Sequence, residues 1–289
     1  MGFSIDPGLL GLEDAVALVT GAGQNIARGC AVGLARAGCH VAVVDLNAAA
    51  GADTVGEIEA LGRRAVLIEA DVCDPGGVQR MVDETLARLG SLEVACNVVG
   101  NPAHAVKPFL DTTLDEWNAT LHRNLGSAFL GTKAEAIAMI ERHIPGRIIN
   151  FASSSGVVGA PTVADYGAAN AGVIHFTKSA AMELARYGLR VNCVVPGTHR
   201  REGGGELSEF AKLAAKAPPL GRLGRPRDTA GVAVFLASDL SSYMTGHAVF
   251  SDGGVVHTTA RPPVGLGMTA DAIAHVEWTH GDLDLDLEA

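Results

Sequence analysis

Cysteine is scarce in this chain, and the few thiols are scattered. Cys30, Cys39, Cys73, Cys96 and Cys193 lie in apolar surroundings with no CxxC pair among them. An odd, dispersed set reads as reduced core thiols rather than a disulfide framework, and it points to a cytoplasmic protein. The ten histidines show no HExxH or comparable ligand spacing, so no metal site is expected. Positive charge is also short. Lys and Arg number 22 against 32 Asp and Glu, a formal net charge of −10. A general binder of nucleic acid or anionic membrane needs the opposite sign. No stretch approaches ~20 uninterrupted apolar residues, and the N-terminus lacks a basic region followed by a long apolar one. Neither a membrane span nor a signal peptide is expected. Gly2 follows the initiator Met, but the sixth residue is Asp6, which argues against N-myristoylation.

What is present is apolar residues, 48% of the chain, and 36 glycines in 289 residues. That is long enough for one large α/β domain or two small ones with a substantial core. Short β-branched runs alternate with longer helical patterns. Strands are expected at 15–20, 40–45, 64–71, 91–100, 146–153, 189–197 and 247–254. Helices are expected at 26–37, 48–62, 75–90, 113–143, through the Tyr166 segment, and at 225–238. Strict alternation with apolar strands implies a parallel sheet covered on both faces. Right-handed crossovers make a doubly wound α/β sheet the leading topology. Ligands bind such sheets beyond the carboxyl ends of the strands.

Nothing in composition marks an internal linker, so a single domain over 1–255 is expected. Residues 198–224 form a charged, glycine-rich insertion suited to a lid over a site. Residues 256–289 form a C-terminal extension that ends in alternating Asp and Leu, either a solvated acidic tail or an edge strand. Trp278 lies within it.

The run TGAGQNIARG, residues 20–29, follows the first strand and opens a helix. Glycine permits a tight turn and close backbone approach, and the free N–H groups of a helix start face an anion. Asp45 ends the second strand about 20 residues on. There a carboxylate accepts hydrogen bonds from a ribose 2′-hydroxyl and repels a 2′-phosphate. The alternative role for Asp45 is to cap the helix that follows.

From about Ala15 to Gly254 the sequence resembles a short-chain dehydrogenase/reductase. TGAGQNIA resembles that family's TGxxxGIG turn, ADV at 70–72 its adenine-lining pair, and NVVG at 97–100 its NNAG. Asn124 in RNLG matches the active-site helix asparagine. Ser153 stands thirteen residues before Tyr166, the family's spacing for its catalytic pair, and Pro196–Gly197 and the stretch from PLGRLG to DGG fit its C-terminal part. The resemblance implies a Rossmann-type fold and an NAD-linked oxidoreductase acting on a small molecule. It also implies a homodimer or homotetramer, with the Tyr166 helix and the 113–143 helix packed on their mates. It assigns Tyr166, Ser153, Asn124 and Asn170 to the catalytic set. To NAD it assigns Gly21, Gln24, Asn25, Ile26, Asp45, Leu46, Asp71, Val72, Asn97, Val98, Gly100, Asn170, Pro196, Gly197 and Thr198.

The departures are specific. Asn25 stands at the second turn glycine, and asparagine is the side chain that best tolerates a left-handed backbone. Ala27 adds a methyl at the third. Asn170 occupies the place of the family's lysine, four residues after Tyr166 on the same helix face. An amide can bond ribose hydroxyls but carries no positive charge. Lys178 is ~18 Å further along the helix, too far to substitute. His104, Lys107 and His199 to Arg201 approach from other loops, either as replacement cations or as solvated loop charges. Three readings follow: a secondary alcohol dehydrogenase or ketone reductase, an enzyme with no net redox step such as an isomerase, or a silent nucleotide-binding regulator.

Overall fold

The computed structural model describes residues 7–200 and 209–257. Residues 201–208 of the insertion and Trp278 with the tail beyond 257 lie outside the described residues.

Seven strands form one sheet: β1 (Val16–Thr20), β2 (His40–Val44), β3 (Ala65–Ile68), β4 (Val94–Asn97), β5 (Arg147–Phe151), β6 (Arg190–Pro196) and β7 (Ala248–Ser251). All six pairings are parallel, in the order β3-β2-β1-β4-β5-β6-β7. The helices are α1 (Pro7–Leu10), α2 (Asn25–Arg36), α3 (Ala48–Ala60), α4 (Pro75–Leu89), α5 (Leu114–Leu121), α6 (Ser127–Glu141), α7 (Ala164–Leu184), α8 (Glu209–Ala214) and α9 (Pro226–Ala237). This is the doubly wound, Rossmann-type sheet that the alternating pattern implies. Each strand is shorter than its expected run by one to six residues, trimmed at one or both ends.

The two-residue period of a strand divides its side chains between two cores. Ala17, Val19, Val41, Val43, Val94 and Cys96 face α2 and α9. Val16, Leu18, Ala42, Val44, Ala95 and Ile148 face the side covered by α4, α6 and α7. Helices α2 and α9 approach closely because glycines lie between them. A Cβ on Gly29 would come within 2.9 Å of Pro226.

The chain winds outward from β1 to β3 and then returns to β4 on the other side of β1. The connections after β1 and β4 therefore part in opposite directions and open a crevice at the carboxyl edge.

The expected helix over 113–143 is one long rod with a change of pitch. Thr113 caps it in a capping box with Glu116, but His122–Gly126 is a π-turn between α5 and α6. Asn124 Nδ2 bonds the Thr120 carbonyl at 2.8 Å and Ser127 Oγ the Arg123 carbonyl at 2.7 Å. Side chains thus compete for the carbonyls that an unbroken α-helix would use.

Candidate active site

A cleft of about 860 Å³ lies at the crevice between β1 and β4. At one end the β1–α2 turn is built on two left-handed residues, Gly21 at φ +69° and Asn25 at φ +50°. A Cβ on Gly21 would come within 3.0 Å of Val99. Helix α2 begins at Asn25, and the Gln24 side chain makes no capping hydrogen bond, so the first N–H groups keep their capacity for an anion. Ala27 lines the same wall and is 6% exposed.

Asp45 bridges this turn to the start of α3. Its Oδ2 accepts from Gly23 N and its Oδ1 from Asn47 N, both at 2.8 Å. The cap of α3 is Asn47, whose side chain accepts from Ala50 N. Asp45, Leu46, Asp71 and Val72 all line the cleft, together with Gly21, Gln24, Asn25, Ile26, Val98, Gly100, Pro196 and Gly197.

At the other end stand Ser153 and Tyr166. Ser153 follows β5 as the cap of a short 3₁₀ turn, its Oγ accepting from Ser155 N at 3.2 Å. Tyr166 lies in the first turn of α7. Burial pushes its phenol above the usual tyrosine range, and the Ser153 hydroxyl and Asn170 amide offset only part of that.

Four expected site residues sit differently. Asn97 ends β4 with its side chain in the core, where Nδ2 bonds Glu135 at 2.9 Å and Asn150 at 3.1 Å. The alternation that sends Val98 to the cleft turns Asn97 away from it. Thr198 lines a separate cavity of about 570 Å³ beside α9 and β7. Asn170 is 2% exposed, does not line the cleft, and donates from Nδ2 to the Tyr166 carbonyl at 2.8 Å. Asn124 lies behind the cleft wall, where Nδ2 also holds the Asn101 carbonyl at 2.9 Å.

The loop cations are engaged elsewhere. Lys107 Nζ reaches both Glu116 oxygens, at 2.7 and 2.6 Å. His104 Nε2 meets Asp165 at 2.8 Å. His199 lies between the Gly197 carbonyl and the Thr229 hydroxyl, and burial lowers its pKa. Arg201 is outside the described residues. Sequence reasoning missed His122 and Arg123, which line the cleft together with Cys73. Their projection depends on the π-turn, and no residue pattern announced it. Cys73 is half-buried at the cleft, unlike the four fully buried thiols.

Known proteins match this sequence and this fold. A family model described as enoyl-(acyl carrier protein) reductase matches residues 21–256. The L-rhamnose 1-dehydrogenase (NAD(P)(+)) of Sphingomonas sp. (strain SKA58) is 38% identical over 250 residues, 84% of this chain and 97% of that protein. The cyclohexanol dehydrogenase of Acinetobacter sp. (strain SE19) is 35% identical over 238 residues, 82% and 93% of the two chains. The crystal structure of a short-chain type dehydrogenase/reductase from Mycobacterium marinum superposes with a TM-score of 0.81 at 35% identity, covering 88% of this chain and all of that one. The class is thus an oxidoreductase with a doubly wound nucleotide fold. The chain belongs to the short-chain dehydrogenase/reductase family.

Proposed function

We propose that this chain is an NAD(H)-dependent oxidoreductase that interconverts a secondary alcohol and a ketone, with Tyr166 as the acid/base group. The observation that carries the reading is the single cleft joining Gly21, Asn25 and Asp45 to Ser153 and Tyr166. The residues fit a dinucleotide. The turn has no side chain at Gly21, the start of α2 has no side-chain cap, and a carboxylate, Asp45, directly follows β2. The turn and the start of α2 would hold the pyrophosphate, and Asp71 and Val72 would border the adenine. Asp45 would accept from the adenosine ribose hydroxyls and disfavour a 2′-phosphate, which selects NAD. A bound nicotinamide coenzyme supplies or accepts the hydride.

The chain's own residues handle the proton. Ser153 Oγ donates to the substrate oxygen and orients it. The Tyr166 hydroxyl donates as that oxygen gains charge in reduction, or accepts the alcohol proton in oxidation. Burial keeps the phenol protonated at neutral pH, so the resting site is set for ketone reduction and oxidation gains at alkaline pH. The relative named for cyclohexanol supports a secondary alcohol. The exposed Phe129 and Ile137 on α6 and Met182 on α7 offer apolar surface for a cytoplasmic homodimer or homotetramer.

A second reading, a silent nucleotide-binding protein, is favoured by one observation. Asn170 spends its amide on its own helix and supplies no charge to the cleft. Hydride transfer to and from NAD(H), on a panel of secondary alcohols and ketones across pH 6–10, separates the two. Tyr166→Phe should lose ~10²–10⁴-fold in turnover while keeping its coenzyme affinity. Coenzyme binding without turnover in the parent selects the silent reading, and no binding ends both.

A further inference from the structure

The loop between β4 and α5 roofs the cleft through Val99, Gly100 and Asn101. Most of its ties run to α5 and the π-turn. Arg123 holds the Asn101 side chain at 3.0 Å, Asn124 holds the Asn101 carbonyl, and Ala103 N donates to Thr120 Oγ1 at 3.1 Å. His104 carries a tie to α7. Its Nε2 lies 2.8 Å from Asp165 Oδ2 and its Nδ1 lies 2.7 Å from the Ala105 carbonyl. The His104 and Asp165 side chains are only 5% and 1% exposed.

Both neighbours of that ring are acceptors. A neutral imidazole has one N–H and satisfies one of them, whereas the imidazolium satisfies both. Asp165 immediately precedes Tyr166, and the Tyr166 N–H itself faces the Asp165 carboxylate. The geometry points to His104, as an imidazolium, being a positioning residue for Tyr166: with Asp165 it clasps the roof loop to the first turn of α7. This role rests on the oxidoreductase reading above.

The surrounding charges agree. The Ala105 carbonyl and then Asp165 raise the His104 pKa above its usual 6.5, with Glu116 on α5 adding to them. Glu116 is itself paired with Lys107. Burial raises Asp165, but the Thr120 hydroxyl, His104 and the Tyr166 N–H outweigh it and leave its pKa low. A histidine raised on folding stabilises fully below 6.5, and that contribution is lost as pH rises through the higher folded value. Unclasping therefore comes as pH rises.

Imidazole ¹⁵N NMR of the full chain tests this, with His104→Gln to assign the ring. The His104 ring should carry both protons at pH 6 and release one at a pH above 6.5. Over the same interval, amide exchange of residues 99–108, corrected for intrinsic rates, should rise about tenfold. In His104→Gln and Asp165→Asn it should be fast at every pH. In turnover, His104→Gln should lower kcat about tenfold with coenzyme KM unchanged. A singly protonated ring at pH 6, parent-like exchange in both variants, or parent-like kcat in His104→Gln overturns the proposal. If the parent itself turns over nothing, the oxidoreductase reading and the positioning of Tyr166 for it fall together. A doubly protonated ring and pH-linked exchange would then show a clasp without catalytic purpose.

Discussion

Asn170 Nδ2 donates to the carbonyl oxygen of Tyr166, one turn earlier in α7, at 2.8 Å. The bond places a neutral amide where the family's resemblance leads one to expect an ammonium. It leaves the Tyr166 phenol with burial as the largest influence on its proton affinity. Asn170→Lys returns a cation to this face of α7. Each unit by which it lowers the phenol pKa is worth about 1.4 kcal/mol, or tenfold in phenolate at a given pH. The expected outcome is an alcohol-oxidation profile whose rising limb moves to lower pH, with neutral-pH kcat up roughly tenfold. Profiles of kcat against pH for both proteins check it. An unmoved limb, with the variant folded and binding coenzyme, would show that the missing charge does not limit the reaction.

Asp45 shapes the turn and, in the reading proposed above, also selects the coenzyme, and a substitution separates the two roles. It accepts from Gly23 N and Asn47 N, so it shapes the turn whether or not a ribose is present. Asp45→Asn keeps an acceptor but removes the charge that would repel a 2′-phosphate. The expected result is a modest fall in NAD affinity and a gain in NADP affinity of about tenfold or more, since one favourable electrostatic contact is worth about 1–2 kcal/mol. Coenzyme titrations with both dinucleotides measure the ratio, and an unchanged ratio rejects a selecting role for the carboxylate.

The left-handed turn residue gives a stability measurement. Asn25 sits at φ +50°, a region that costs an ordinary L-residue roughly 1–2 kcal/mol. Asparagine pays less of that than alanine, and glycine pays none. Asn25→Ala should destabilise the fold by about 1 kcal/mol, and Asn25→Gly should leave it within a few tenths. Urea unfolding of the three proteins orders them Gly, Asn, Ala from most to least stable or shows that the turn tolerates any side chain.

The sheet was legible because its strands are mostly apolar on both faces. Runs such as VALVT and HVAVV have no competing reading once helices separate them. The glycine turn was legible down to Asn25, since few side chains accept a positive φ. The π-turn at His122–Gly126 was not. It depends on Asn124 and Ser127 bonding backbone carbonyls, and an apolar period does not record that choice. The same limit applies to Asn97 and Asn170. Sequence placed both at the rim of the cleft, but an amide turns toward whichever acceptor packing offers. For Asn97 that is the buried Glu135 and Asn150, and for Asn170 it is the carbonyl of its own helix.

Glu135 supplies a pH dependence of folding that no site chemistry requires. It is fully buried, Asn97 donates to its Oε2, and its Oε1 has no hydrogen-bond partner among the described residues. Burial pushes its carboxyl up from 4.5 to about 7, with Asn97 acting against that shift. The folded state therefore holds a proton that the unfolded chain releases above 4.5. Stability falls as pH rises from there and levels off only above the folded value. The 2.5-unit difference between 7 and 4.5 corresponds to a loss of order 3 kcal/mol. Glu135→Gln keeps the size and the acceptor for Asn97 but has no proton to lose. Against the parent, it should be more stable at pH 8 and have a flatter stability profile between pH 5 and 8. Denaturant unfolding at each pH decides it, and parallel profiles would mean that Glu135 is ionised in the folded protein throughout.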